Sequence, residues 1–221
     1  MPEVRFHSVF DIIGPVMVGP SSSHTAGAAR IGRVVREIFG EAPTRIDVYL
    51  YESFAKTYRG HGTDVAIVGG LLGMAPDDAR LPDSLKIAHE QGIKVTFVPK
   101  SDKVDHPNSA RIVLQRGDHK LTVLGESIGG GNIRITELNG FKISLSMGTP
   151  TYITIHDDVP GMIAAVTQIF SEATINIGTM TVTREAKGER AIMLIEVDAY
   201  EPAILAKLRE LPHMVNVTFF E

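Results

Sequence analysis

A segment rich in hydroxyl groups lies directly before the first predicted helix. It reads Gly-Pro-Ser-Ser-Ser-His-Thr at positions 19–25. Free N–H groups and the helix dipole favour an anion at a helix N-terminus, so the segment predicts a binding place for a carboxylate or phosphate. An ordinary Ser/Thr cap beside a solvent-facing histidine is the alternative. The candidate binding residues are Ser21, Ser22, Ser23, His24 and Thr25.

A second histidine lies between two glycines, in Gly60-His61-Gly62-Thr63-Asp64. This spacing predicts a tight turn just ahead of a helix, with the imidazole held on the turn. A neutral imidazole has an ordinary pKa near 6.5 and accepts a proton at neutral pH without special tuning. The pattern favours His61 as a general base; the alternative is a helix cap made by Thr63 or Asp64, with His61 incidental.

Two further loops carry groups that bind anions. One is His106-Pro107-Asn108, and the other is the glycine run Ser127-Ile128-Gly129-Gly130-Gly131. Successive N–H groups of such a run can form an anion-binding nest, although the trailing Lys-Ser/Thr of a nucleotide-binding loop is absent. Turn formation alone also explains these residue types. The added candidates are His106, Asn108, Gly129, Gly130 and Gly131.

The elements that must position these loops form a mixed α/β domain over residues 1–148. Apolar spacing predicts a helix over 26–39, capped by Ser23 or Thr25, and a strand over 45–51. Leu138-Asn139-Gly140 predicts a hairpin turn. The other predicted elements are helices over 64–74 and 84–91 and strands over 94–98, 111–115 and 120–124.

Residues 149–221 predict a second domain with the order βαββαβ. The strands are expected over 152–155, 175–184, 190–199 and 216–220, with helices after Pro160 and over 202–210. Ile163, Val166, Ile169 and Phe170 share one face of the first of these helices. This order implies a four-stranded antiparallel sheet with both helices on one face, a ferredoxin-like arrangement. The fold class is therefore α+β.

Composition excludes several classes of function. The chain of 221 residues has 22 basic against 26 acidic side chains, so we expect no nucleic-acid partner. The stretch over 12–29 is uncharged but holds Gly-Pro steps, and we expect no membrane span. The sequence contains no cysteine, which removes thiolate-ligated metals from this chain. The first residues lack the pattern of a secretory signal, which predicts a cytoplasmic protein.

The second domain resembles the ACT regulatory-domain family. The resemblance lies in the turn Asp157-Asp158-Val159-Pro160-Gly161 and in the opening of the next strand, Ile175-Asn176-Ile177. It implies homo-association through ACT domains and an amino-acid effector. A dimerisation module with an empty site is the alternative. The effector-binding residues implied are Asp157, Val159, Gly161, Asn176 and Ile177.

The first domain resembles the β chain of the iron–sulfur-dependent L-serine dehydratases. GPSSSHT, GHGTD, HPN and SIGGG occur in the same order in that family and here, at 19–25, 60–64, 106–108 and 127–131. The resemblance implies conversion of L-serine to pyruvate and ammonia, with a [4Fe–4S] cluster ligated by a separate, cysteine-bearing α chain and no metal ligand in this chain. It also implies that GHGTD and the 21–25 segment line the shared site. In that site His61 is the base, the 21–25 segment orients the substrate carboxylate, and Gly62, Thr63 and Asp64 are substrate-binding residues.

The sequence departs from this family at two places and has a second resemblance. Glu52 stands where the family pattern LYGS has glycine, and Tyr58-Arg59 replaces a Lys-bearing approach to GHGTD. The first domain is also similar to the allosteric substrate-binding domain of some phosphoglycerate dehydrogenases. That resemblance implies a non-catalytic alternative, a regulatory subunit that senses L-serine or an anion.

Overall fold

The computed structural model describes residues 16–220. The chain divides into two compact units, the first ending at Asn139 and the second beginning at Gly140. The boundary predicted from the sequence, between Gly148 and Thr149, lies further along the chain. None of the helices within residues 16–220 is long and apolar enough to cross a membrane.

The larger sheet has six strands in the order β2-β1-β3-β4-β5-β6. The pairing of β1 with β2 is parallel, whereas β1–β3, β3–β4 and β4–β5 are antiparallel. A mixed sheet of this kind, with its helices, confirms the α/β character predicted for the first part of the chain. The strands are β1 (Arg45–Leu50), β2 (Lys94–Pro99), β3 (Ser109–Arg116), β4 (His119–Gly129), β5 (Asn132–Leu138) and β6 (Phe141–Ser146).

Over residues 16–139 the first unit has four α-helices. A single π-helical turn, Ser22–Gly27, runs directly into α1. The apolar residues of α1 lie on one face and are buried, as the three- and four-residue spacing predicts. The helices are α1 (Ala28–Phe39), α2 (Glu52–Thr57), α3 (Thr63–Leu71) and α4 (Ser84–Glu90).

Two local predictions for the first unit are wrong, and one short helix has no predicted counterpart. The first helix is not capped by Ser23 or Thr25, because the Oγ of Ser21 accepts the His24 N–H at 3.1 Å and the helical turn begins at Ser22. The short helix α2 has too few residues to show a period and was not expected. Strand β4 continues to Gly129, because Glu126 and Ser127 keep antiparallel partners in β5.

Close packing of α1 against α3 depends on two glycines. A Cβ on Gly32 would lie 2.2 Å from the carbonyl oxygen of Ile67, and one on Gly70 would lie 2.0 Å from that of Ala29. Real Cβ atoms do not approach backbone oxygens this closely, so these helices touch backbone to backbone. The contact fixes α3, whose first residues follow His61.

The second unit confirms the predicted order βαββαβ. Its four-stranded sheet has the order β10-β7-β9-β8, and the pairings β10–β7, β7–β9 and β8–β9 are all antiparallel. Tyr152, Phe170 and Leu208 lie in the core between sheet and helices. The elements are β7 (Thr151–Asp157), α5 (Met162–Glu172), β8 (Ile177–Arg184), β9 (Arg190–Val197), α6 (Pro202–Arg209) and β10 (Met214–Phe220).

One residue of the predicted apolar face of α5 points elsewhere. Val166, Ile169 and Phe170 are buried as expected, but Ile163 is 51% exposed. Met162, at the first position of the helix, is buried in its place. The helix begins at Met162, one residue before Ile163. Its buried face therefore contains Met162 and not Ile163.

Candidate functional site

The ring of His24 is the centre of the first unit's polar cluster. The imidazole is buried, and its Nδ1 lies 3.0 Å from the Oγ of Ser23. Its Nε2 lies 3.1 Å from the Oγ of Ser53, which belongs to α2. Both ring nitrogens are thus hydrogen-bonded to hydroxyl groups, and the ring has a fixed orientation.

The charge state of His24 follows from its surroundings. Burial lowers the pKa of its imidazole below the ordinary value of 6.5, and the neighbouring His61 lowers it further. A buried ring without a carboxylate partner loses hydration on charging, which disfavours the protonated form. His24 is therefore neutral at physiological pH.

His61 lies against His24, with the two ring planes nearly perpendicular. The ring centroids are 4.9 Å apart, with an interplanar angle of 83°. The hydroxyl of Thr25 donates to the carbonyl oxygen of His61 at 3.1 Å, so the turn that carries His61 is held by the 19–25 segment. The His61 side chain itself is exposed. The pair thus consists of one buried, fixed histidine and one histidine with an exposed side chain.

The HPN loop joins the same cluster through its backbone. The carbonyl oxygen of Pro107 accepts the Ser53 N–H at 2.9 Å, and that of Asn108 accepts the Ser127 N–H at 2.9 Å. The His106 Nδ1 accepts the N–H of Asn108 at 3.2 Å, within its own loop. The loop therefore ties α2 to β4, and the His106 ring takes part in holding its shape.

The glycine run contributes through Ser127 and through a hairpin turn. Gly129 pairs with Asn132, and Gly130 and Gly131 have φ angles of 60° and 80°, as a two-residue turn between β4 and β5 requires. A Cβ on Gly27 would lie 2.0 Å from the Oγ of Ser127. Ser127 is therefore packed against the helical turn, while the role of the three glycines in binding an anion stays a prediction.

The remaining predicted residues of this unit lie at the start of α3. Gly62 precedes the helix with a φ of 68°, a conformation suited to glycine. The Asp64 Oδ1 accepts the N–H of Val65 at 2.9 Å. Thr63 and Ser127 are fully buried, and neither hydroxyl has a hydrogen-bond partner within residues 16–220. Unpaired buried hydroxyls are unusual, because such groups cost free energy.

Sequence reasoning did not assign Ser53 to this site. It lies 29 positions from His24, the residue it contacts, and no periodic pattern joins the two. The preceding residue, Glu52, has a φ of 39°, the region where glycine is favoured. The glycine of the family pattern LYGS was the sequence signal for this unusual backbone conformation at position 52.

The second unit contains a cavity of about 420 Å³ beside the β7–α5 turn. Two of the predicted effector residues, Val159 and Gly161, line it. Asp157 instead lies 3.2 Å from the Nδ1 of His213, and Ile177 packs against the apolar core. The cavity is also lined by Asp158, Ile163, Val182, Arg184 and Lys187, whereas Asn176 is exposed and lies outside it.

The side chains of this chain do not suit a [4Fe–4S] cluster. Such clusters are held by cysteine thiolates, and the sequence has no cysteine. Nor do residues 16–220 bring together three or more His, Asp or Glu side chains in a group able to hold a metal ion.

The sequence of the chain is similar to those of two known families and of several known proteins. Residues 8–94 match the family described as serine dehydratase beta chain, and residues 153–218 match that of the AHAS small subunit-like ACT domain. The chain is 28% identical to D-3-phosphoglycerate dehydrogenase of Bacillus subtilis, over 88% of this chain and 37% of that protein.

Two relatives match over most of their own length. The L-serine dehydratase beta chain of Peptoniphilus asaccharolyticus is 36% identical over 87% of both chains. The probable L-serine dehydratase beta chain of Bacillus subtilis is 50% identical over 97% of this chain and 98% of its own. Because identity at this level extends over both units, the chain belongs to the family of serine dehydratase β chains.

Proposed function

We propose that this chain is the β subunit of an L-serine dehydratase, which converts L-serine to pyruvate and ammonia together with a separate α chain. The observation that carries the proposal is the cluster around His24 and His61, to which the HPN loop is joined through Ser53 and the glycine run through Ser127. The two relatives described as a probable L-serine dehydratase beta chain and an L-serine dehydratase beta chain support L-serine as the substrate.

In the proposed reaction His61 is the general base. Dehydration requires removal of the weakly acidic proton on Cα of serine, and an exposed imidazole on a fixed turn can accept it. His24 is a poor candidate for this step, because both of its ring nitrogens are already hydrogen-bonded. Loss of the proton and of the hydroxyl gives aminoacrylate, which tautomerises and hydrolyses to pyruvate and ammonia.

The substrate carboxylate is assigned to the start of the helical turn. Ser21, Ser22 and Ser23 are half-buried there, whereas His24 and Thr25 are buried. The hydroxyls of the half-buried residues, with the N-terminal dipole of the helix, favour a carboxylate. We therefore assign only Ser21, Ser22 and Ser23 to the substrate carboxylate, whereas the sequence predicted that role for all five residues of the 21–25 segment. In this proposal His24 and Thr25 hold His61.

We further propose that the α chain holds the [4Fe–4S] cluster, and that this cluster would assist the loss of the substrate hydroxyl. We assign the cluster to the α chain because the β chain has no cysteine thiolate to ligate it. The cytoplasmic location expected from the sequence also stays a prediction.

The proposal is tested by reconstitution. The purified chain alone should be colourless and should release no pyruvate from L-serine, because the thiolates that hold the cluster are expected in the α chain. Anaerobic mixing with the α chain and iron should restore serine-dependent pyruvate. Serine turnover by the isolated, metal-free β chain would contradict the proposed division of labour.

The cavity of the second unit is proposed as the effector site. Arg184 and Lys187 offer cationic groups for a carboxylate, and Val159, Ile163 and Val182 offer an apolar surface. A small apolar amino acid fits this combination. The association of ACT domains is also kept as a proposal, since the sheet of this unit ends in the edge strands β10 and β8, and edge strands can pair with a second chain.

Calorimetry with the twenty amino acids tests the cavity. We expect one or more to bind, and Arg184→Gln to weaken binding about tenfold, because the carboxylate loses a charge-assisted hydrogen bond. Lys207→Gln, a change on α6 outside the cavity, should leave binding unchanged. If none of the twenty amino acids binds, the second unit is better explained as a dimerisation module with an empty site.

A further inference from the structure

Ser53 joins three segments of the candidate active site. Its hydroxyl is hydrogen-bonded to the Nε2 of His24 at 3.1 Å, and its N–H donates to the carbonyl oxygen of Pro107 at 2.9 Å. Its own carbonyl oxygen accepts the hydroxyl of Thr57 at 2.8 Å. Backbone and side chain of Ser53 are therefore held at the same time by the HPN loop, by α2 and by the buried imidazole.

The backbone just before Ser53 is strained. Strand β1 ends at Leu50, and Glu52 turns the chain into α2 with a φ of 39°. A non-glycine residue persists in this region only where its surroundings enforce it, and such strain concentrates at functional sites. The Tyr51 N–H bonds the Ser109 carbonyl oxygen at 3.2 Å, on one side of Glu52, and the Ser53–Pro107 bond lies on the other. Hydrogen bonds thus hold the backbone on both sides of Glu52. This turn of the chain directs the Ser53 hydroxyl toward His24.

The ring of His24, held by Ser53, is in turn in contact with the ring of His61. The rings of His24 and His61 meet edge to face with their centroids 4.9 Å apart, and the ring centroid of Phe54 lies 5.2 Å from that of His24. Thr25 holds only the carbonyl oxygen of His61, so the exposed ring of His61 depends on the surface of His24 for its orientation. A neutral His24 places no positive charge beside the ring that is assigned to accept the substrate proton.

We propose that Ser53 is a positioning residue for the proposed dehydration: it locks the ring of His24, in one neutral tautomer, as the surface that orients the general base His61. This inference rests on the proposed function. Ser53 does not touch the substrate in this assignment. Its effect belongs to the proton-transfer step, where the orientation of the base determines the rate.

The first test uses the chain reconstituted with its α chain. Ser53→Ala should lower kcat about 10- to 100-fold, the size of effect seen when a residue that orients a functional group is lost. KM for L-serine should stay within about threefold, because the serines assigned to the carboxylate are unchanged. Ser53→Thr retains the hydroxyl and should recover most of the lost kcat. Ser84→Ala, which removes a more deeply buried hydroxyl that donates to the Val65 carbonyl oxygen, is the matched control and should keep kcat within about twofold.

The second test needs neither substrate nor partner. In the full-length chain with 15N-labelled histidine, His24 should show the two separate ring-nitrogen shifts of a single neutral tautomer. His24→Gln identifies its signals among those of the eight histidines. In Ser53→Ala the two shifts should move toward their average, because one nitrogen has lost its partner, and Ser53→Thr should restore the separation.

The two tests separate this inference from the proposed function. If Ser53→Ala keeps the single-tautomer pattern, or keeps kcat at the level of the Ser84→Ala control, the positioning role is wrong even where His61 proves essential. If the reconstituted parent enzyme does not turn over L-serine, the proposed function fails, while the nitrogen shifts still report whether Ser53 fixes His24.

Discussion

Replacement of His61 by alanine should lower kcat of the reconstituted enzyme about 10²–10⁴-fold, the range typical for loss of a general base. The loss should fall on kcat rather than on KM, since the serines assigned to the carboxylate are not changed. The spectrum of the cluster and the association of the two chains should remain those of the parent enzyme. Initial rates of pyruvate formation, measured over a range of L-serine concentrations, give both constants.

The matched control and the alternative function are read from the same measurement. His89→Ala removes another exposed histidine, at the end of α4, and should leave kcat unchanged. If this unit only senses L-serine, His61→Ala should change the concentration dependence or a lag in activation, with saturated kcat within a few-fold of the parent. That result would overturn the catalytic assignment and favour the regulatory alternative.

Replacement of Gly70 by alanine should destabilise the first unit by about 3 kcal/mol, the upper part of the usual range for overpacking. The added Cβ would lie 2.0 Å from the carbonyl oxygen of Ala29, so α1 and α3 must separate. Because α3 follows the turn that carries His61, the same change should also impair catalysis. Chemical denaturation of the full chain, followed by circular dichroism, measures the loss of stability.

The neighbouring Gly69 provides the control within the same helix. There an added Cβ would meet the Cδ2 of Leu81 at 2.5 Å, the end of a side chain that can rotate away. Both substitutions gain about 1 kcal/mol of helix propensity, so their difference reports the backbone contact. We expect Gly69→Ala to cost clearly less than Gly70→Ala; equal losses would show that the close approach of α1 and α3 is not what requires glycine.

The sequence by itself determined the elements whose signals are local. The apolar spacing of α1, the Leu138-Asn139-Gly140 turn and the order βαββαβ all depend on residues a few positions apart, and the structure has each of them. The absence of cysteine likewise excluded a thiolate-bound cluster on this chain alone. Four motifs in a fixed order indicated the family, which identity over both units established.

The tertiary structure alone decided how the two histidines differ. Both lie in similar motifs beside helix starts, yet His24 is buried with both nitrogens bonded and His61 is exposed. It also decided that Ser53 belongs to the site and that Ile163 faces outward. The contacts responsible join residues 29 and 36 positions apart. Local periodicity carries no information about such contacts, because they depend on how completed helices and strands pack together.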